Sequence, residues 1–308
     1  MAIGASRIYH VNANCSDLTR SSAFYEALGL TRVIHTKPSR PQPGDAFGLD
    51  QVAWDAWLLE GAVGMDGLSL DLLEWTVPPP AGRPPVTPWH PGLNHLVISV
   101  PDLDAGLAAA LAAGGSLVGG PVVGDHGGGE AIRAAMVRDP DGTPMALVWG
   151  PDVRITRVVV NTADLGESVS HYRDVCGLEV LGVWERARRP GELYGLDGEV
   201  ELQVADLGDA GGAFTVTLVH WVAPFATVVG DRRVRAANEL GLFRMAWSTD
   251  DCARDEAIIR SMRSEPLAPT GELSVGDDLP RLRVLFWPGP DGECLELIEV
   301  TEGPGVLG

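Results

Sequence analysis

Two histidines and two arginines share one repeated position in this 308-residue chain, and they decide what chemistry it could do. His10, His95, Arg157 and Arg244 each stand in a candidate strand that leads, through an aspartate, into a helix. A neutral imidazole can ligate a metal or shuttle a proton near neutral pH. A guanidinium stays protonated, offers only donors and cannot ligate a metal. Two copies can therefore hold a metal and two cannot, which directs attention to the first 150 residues. His126, in the glycine-rich stretch GDHGGGE (124–130), is a further candidate acid or base if that stretch closes over a cleft. A plain hairpin connection accounts for it equally well.

The elements that position these residues come from a repeat within a repeat. FGLDQVAWDAWLLEG (47–61) matches YGLDGEVELQVADLG (194–208), and SLDLLEWTVPP (69–79) matches TVTLVHWVAPF (215–225). PGLNHLVISVPDLD (91–104) matches LGLFRMAWSTDDCA (240–253), and DPDGTPMALV (139–148) matches GPDGECLELI (289–298). The halves divide near Gly150-Pro151 into residues 1–150 and 151–308, and each half divides again. Four modules result, starting near Arg7, Leu93, Val153 and Leu242, each with the order strand, helix and three more strands. Asp17 suits a helix N-cap and Gly29 a helix exit, and the same plan is expected in every copy. Asp141-Gly142 and Asp291-Gly292 read as hairpin turns. PPPAGRPPVTP (78–88) reads as an extended connector.

Bulk properties remove whole classes of function. Hydrophobic residues at 45% allow a sizeable core, and a net charge of -19 argues against nucleic acid or an anionic membrane as partner. Cys15, Cys176, Cys252 and Cys294 are far apart and read as reduced thiols rather than a disulfide frame or a zinc site. The start MAIGASRIYH lacks the pattern of a signal peptide, so a cytoplasmic protein is expected.

Four motifs carry a family resemblance: His10 to Leu18 (H-V-x-x-x-x-x-D-L), Phe24 to Leu30 (F-Y-x-x-L-G-L), Asn94 to Leu103 (N-H-L-V-I-S-V-P-D-L) and Asp139 to Gly142 (D-P-D-G). On these the chain resembles the vicinal oxygen chelate superfamily, which includes glyoxalase I, methylmalonyl-CoA epimerase, extradiol dioxygenases and bleomycin-resistance proteins. The resemblance implies an α+β fold in which four βαβββ modules pair into two cup-shaped mixed-sheet half-barrels with helices outside. It also implies metal ligands on the first and last strand of each module. In the first half these positions hold His10, Asp71 and His95, with Ala146 where the family has glutamate. In the second half they hold Arg157, Thr217, Arg244 and Glu296, a vestigial site. There the arginines would lean on Glu296 or, alternatively, form a pocket for a carboxylate or phosphate.

Adjacent pairing, module one with two and three with four, gathers His10, Asp71 and His95 in one cup, and is the expected arrangement. Two histidines and one carboxylate with open positions suit non-haem Fe(II). The resemblance then implies one divalent metal, Fe(II) first and Mn, Ni, Co or Zn next, in an oxygenase acting on a small oxygenated, aromatic or polyketide-like substrate. A glyoxalase-type isomerase, epimerase or lyase is the alternative. So is a non-catalytic small-molecule binder of the antibiotic-resistance kind, for which the histidines would be structural relics. Trp54, Trp57, Trp75 and Trp149 are candidates to line the site. Glu74 is expected to meet solvent and Tyr9 to pack on the strand face opposite His10. One chain can close both cups, so a monomer or a homodimer is expected.

Overall fold

The computed structural model describes all residues except 1, 6, 126–130, 209–213, 224–231 and 303–308; His126 lies outside the described residues. The first module comprises β1 (Arg7–Cys15), α1 (Leu18–Ala27), β2 (Thr31–Thr36), a two-residue β3 (Gln42–Pro43), β4 (Gln51–Glu60) and β5 (Ser69–Val77). The second comprises β6 (Gly92–Val100), α2 (Leu103–Ala112), β7 (Ser116–Asp125), β8 (Ala131–Arg138) and β9 (Pro144–Trp149). The third has β10 (Arg154–Asn161), α3 (Leu165–Asp174), β11 (Glu179–Pro190), β12 (Glu199–Gly208) and β13 (Thr215–Ala223). The fourth has β14 (Gly241–Ser248), α4 (Cys252–Ser261), β15 (Gly271–Ser274), β16 (Arg281–Pro288) and β17 (Cys294–Glu302).

Local chemistry explains the recurrence. Asp17, Asp102, Asp164 and Asp251 each accept a hydrogen bond from the backbone N–H three residues on. Each such cap stabilises its helix by about 1 kcal/mol. The chain leaves the first three helices through left-handed Gly29, Gly114 and Gly177, but leaves α4 through Arg263 at φ 63°. The fourth copy thus departs from the expected glycine stop and carries the strain of a side chain in that region. Glu74 does not simply meet solvent. Its Oε2 accepts the Leu18 N–H at 2.8 Å, and Glu299 serves Cys252 likewise at 3.0 Å, so strand glutamates satisfy orphan donors at two helix N-termini.

Within each module the first strand lies parallel to the last, as in β1–β5, β6–β9, β10–β13 and β14–β17. Between modules, first strands pair antiparallel: β1 with β14 and β6 with β10. One sheet therefore runs β15-β16-β17-β14-β1-β5-β4-β2, and the other β11-β12-β13-β10-β6-β9-β8-β7. Module one is paired with four, and two with three, which overturns the expected pairing of neighbours. Linker lengths supply the reason. Only residues 150–153 separate β9 from β10, a link reaching roughly 17 Å at most. That is enough to step over β6 within one sheet, about 10 Å, and too short to cross a core filled with helices. The longer connector 78–91 makes the crossing instead, running beside residues 232–240 through Ala81 N–H to Asn238 O (2.9 Å) and Leu240 N–H to Ala81 O (2.8 Å). Equivalent asparagines hold the two connectors: Asn14 donates to Ala237 O and Glu239 O, and Asn161 to Pro88 O and His90 O.

Neighbouring modules still meet, but back to back. The convex sheet faces and the helices share one core that includes Val11, Leu72, Leu96, Val158, Met245 and Leu297. Burial of each such side chain contributes about 1.5–3 kcal/mol. Tyr25 on α1 donates to Asp139 in the β8–β9 turn at 3.1 Å, and Tyr172 on α3 donates to Glu293 beside the β16–β17 turn at 2.9 Å. The concave faces look away from this core and carry separate apolar clusters, one per cup.

Candidate functional site

The cup of modules one and four holds a cavity, and β1 shapes its floor. Register slips between Ile8, opposite Trp247, and His10, opposite Ala246, so Tyr9 is an extra residue. Such a bulge re-aims side chains. Here Tyr9 and His10 both line the cavity, with their rings edge to face at 5.2 Å. The expectation that Tyr9 packs on the opposite face fails because strict alternation is broken at this point. Trp54, Phe47 and Leu58 form one apolar wall, and Leu282, Val284 and Ile298 face them from module four.

The polar floor consists of His10, Asp71, Arg244 and Glu296, all buried, from β1, β5, β14 and β17. Arg244 Nε donates to Glu296 Oε2 at 2.6 Å and Arg244 Nη2 to Asp71 Oδ2 at 2.8 Å. Asn12 Nδ2 also donates to Asp71 Oδ2, at 3.1 Å. The same two oxygens lie 3.8 Å (Asp71) and 3.6 Å (Glu296) from His10 Nε2, beyond hydrogen-bond range. Burial, the largest single influence, would push Glu296 up, but Arg244 and His10 together outweigh it and hold the carboxyl below its usual range. Burial likewise opposes the Arg244 charge, and Glu296 and Asp71 more than offset it. With His10 neutral the floor carries a formal charge of minus one; with His10 protonated it is neutral. Four buried polar atoms have no hydrogen-bond partner here: Tyr9 Oη, both His10 ring nitrogens and Arg244 Nη1. Burial, then Asp71 and Glu60, pushes the Tyr9 hydroxyl well up, so it stays a neutral donor.

The donor set of this floor does not fit a divalent ion as it stands. His10 Nε2, Asp71 Oδ2 and Glu296 Oε2 converge, but Arg244 already occupies both oxygens. An ion about 3 Å from that guanidinium would meet repulsion on the order of 10 kcal/mol at an effective dielectric of 20. Among the described residues, no group of three or more His, Cys, Asp or Glu is arranged to hold a metal.

The structure separates the proposed ligands. His10 and Asp71 come together with Arg244 and Glu296, while His95 goes to the other cup with Ala146, Arg157 and Thr217. There Arg157 donates to Asp206 Oδ2 at 2.7 Å and to Thr217 Oγ1 at 3.2 Å, and Thr217 donates to Asp206 Oδ1 at 2.7 Å. The expected triad of Arg157, Arg244 and Glu296 does not form, because its members belong to different sheets. His95 Nδ1 pairs with Asn94 Oδ1 at 2.8 Å. This second cup is packed by Val97, Met136, Val148, Leu193 and Trp221. A smaller hollow lined by Pro85, Asn94, Met136 and Tyr194 touches neither His95 nor Arg157.

Of the four tryptophans, Trp54 lines the cavity. Trp75 lies behind it at a ring distance of 6.1 Å and donates to Asn14 Oδ1 at 3.0 Å. Trp57 stacks on His35 at 4.5 Å under Arg32, and Trp149 is exposed. Sequence reasoning did not single out Asp206, Phe47 or the Leu282–Val284–Phe286 stripe. The stripe's period-two alternation was the available signal, and Asp206 follows Leu202 and Val204 on the same face. The cysteines are free and buried, and burial pushes every thiol up, Cys252 to about 12. Among the described residues no helix is long and apolar enough to cross a membrane.

Comparison with known proteins agrees with this architecture. Residues 7–147 match the model of the Glyoxalase/Bleomycin resistance protein/Dioxygenase superfamily. Glyoxalase I from Zea mays is similar in structure, with TM-score 0.63 at 19% identity over 96% of this chain and 92% of that one. A putative dioxygenase from Bacillus subtilis subsp. subtilis str. 168 is similar with TM-score 0.53 at 14% identity, over 98% and 87%. At these identities the likeness concerns the fold alone. No curated protein matches the sequence.

Proposed function

From the premise that this is a vicinal oxygen chelate fold, matched by the superfamily model over residues 7–147, we propose that the cup of modules one and four binds a small, neutral, largely apolar molecule bearing an oxygen acceptor. The molecule would be aromatic or polyketide-like and would be held as in the sequestering members of the superfamily. The observation that carries this reading is Arg244 bonded to both Asp71 and Glu296 beneath an aromatic and aliphatic cavity. Walls of Trp54, Phe47 and Leu282 favour a flat apolar body. A floor of charge minus one or zero disfavours a carboxylate. Arg244 Nη1 and the Tyr9 hydroxyl are uncommitted donors suited to a carbonyl or hydroxyl oxygen.

A second reading keeps metal-dependent chemistry, as an Fe(II) oxygenase or a glyoxalase-type isomerase or lyase with Fe(II), Mn, Ni, Co or Zn. It is favoured by the convergence of Nε2, Oδ2 and Oε2. It requires Arg244 to leave both carboxylates. The choice of ligand class is tested by fluorescence titration with 2-acetylnaphthalene, a neutral aromatic ketone, against 2-naphthoate, the same ring carrying a carboxylate. Tighter binding of the ketone, weakened by Trp54→Ala, is expected. Tighter binding of the carboxylate would contradict the reading.

A further inference from the structure

The geometry points to Arg244 as a built-in cation that takes the place of a divalent ion, so that this cup works without metal. The inference rests on reading this cup as the ligand site. Arg244 stands at the repeat position that holds histidine in modules one and two. Its Nε and Nη2 bond the two carboxylate oxygens that also face His10 Nε2. The positive charge therefore sits against the same oxygens that would otherwise coordinate an ion. The side chain is buried, tied at two nitrogens and set 5.8 Å from the Phe243 ring centroid, so it is a fixed feature of the floor. One nitrogen is left over. Arg244 Nη1 is buried without a partner, as is the Tyr9 hydroxyl from the β1 bulge. An electron-rich ligand oxygen would be held by these two donors rather than by a metal. A divalent ion could enter only by evicting the guanidinium from a buried ion pair, which would leave that charge without partners.

The test is calorimetric titration of the chelator-treated full chain with Fe(II) under anaerobic conditions, then with Ni(II) and Zn(II). Metal content after gel filtration is measured, and 2-acetylnaphthalene binding is followed with and without EDTA. The wild-type chain should retain no stoichiometric metal, and its affinity for the probe should not change with EDTA. Arg244→His should hold one equivalent through gel filtration, and Glu296→Gln in that background should release it. Should Arg244→His fail to fold, Arg244→Gln, which frees the Asp71 and Glu296 oxygens facing His10, takes its place and should likewise retain metal. One equivalent of metal in the wild-type chain, released by His10→Ala or Glu296→Gln, would overturn the inference. Metal-free protein that binds neither naphthalene probe would instead sink the ligand-site reading and leave the metal result standing.

Discussion

The two cups share a plan and differ in filling. Gly48 and Gly195 occupy matching places in FGLD and YGLD, both left-handed. A Cβ on Gly48 would meet nothing within 4 Å, whereas one on Gly195 would lie 3.2 Å from Val118 O. The short helical turn before Gly48 carries Ala46, and the turn before Gly195 carries the bulkier Leu193. The latter turn presses on β7 so closely that a Cβ on Gly119 would sit 1.7 Å from Glu192 O. In the cup of modules two and three, the turn, Tyr194 and Trp221 (rings 5.0 Å apart) form a packed core. In the cup of modules one and four, a smaller turn leaves a cavity above four charged or ionisable side chains. A scaffold used twice is packed shut in one copy and left open in the other through a few changes of side-chain volume, and the open copy is the one proposed to bind.

Substitutions that break this contrast should show the largest effects. Arg244→Met removes the counter-charge from two buried carboxylates at once, leaving Asp71 with the Asn12 amide, and should cost about 3–5 kcal/mol in urea unfolding. Arg157→Met in the other cup should cost about 1–3 kcal/mol, because Asp206 keeps the Thr217 hydroxyl. Equal losses would remove the distinction drawn between the two arginines. Trp221→Ala, in the packed cup, should cost about 3–5 kcal/mol, and Trp54→Ala less, with its main effect on probe binding.

Proton linkage should treat the two halves alike, since the back-to-back contacts are repeated. Burial pushes Asp139 up to about 6 and Glu293 up to about 7. Between pH ~4 and those values the folded chain holds protons that the unfolded chain has released, so stability falls as pH rises. Each site contributes about 3 kcal/mol across its window. Asp139→Asn and Glu293→Gln should each flatten that part of the stability–pH curve, and an unchanged slope would count against the buried-acid assignment. The smallest effect expected is that of Tyr9→Phe. It removes an unpartnered buried hydroxyl, so stability should change by less than about 1 kcal/mol, while ketone affinity falls.

Much of the fold was legible because it is written four times. Repeated aspartates, glycines and alternating strands gave the modules, and their first strands begin at Arg7, Gly92, Arg154 and Gly241, each within one residue of the expected start. Pairing was not legible from ligand types, since counting His10, Asp71 and His95 toward one metal favoured the wrong partners. The lengths of 78–91 and 150–153 carried that information, and they act through reach rather than residue chemistry. The floor was half visible: His10, Asp71, Arg244 and Glu296 were each singled out, but assigned to two sites. Tyr9 was hidden because a bulge is a property of the pairing and leaves no mark in strand periodicity.

The central claim, that the open cup and not the packed one receives the ligand, is tested most directly by a crystal structure of the chain soaked with 2-acetylnaphthalene. The ring should lie between Trp54 and Leu282, with the ketone oxygen within hydrogen-bond distance of Arg244 Nη1 or Tyr9 Oη. Ligand density beside His95 and Trp221, with the cavity above Arg244 left without it, would show that the packed cup is the receiving one.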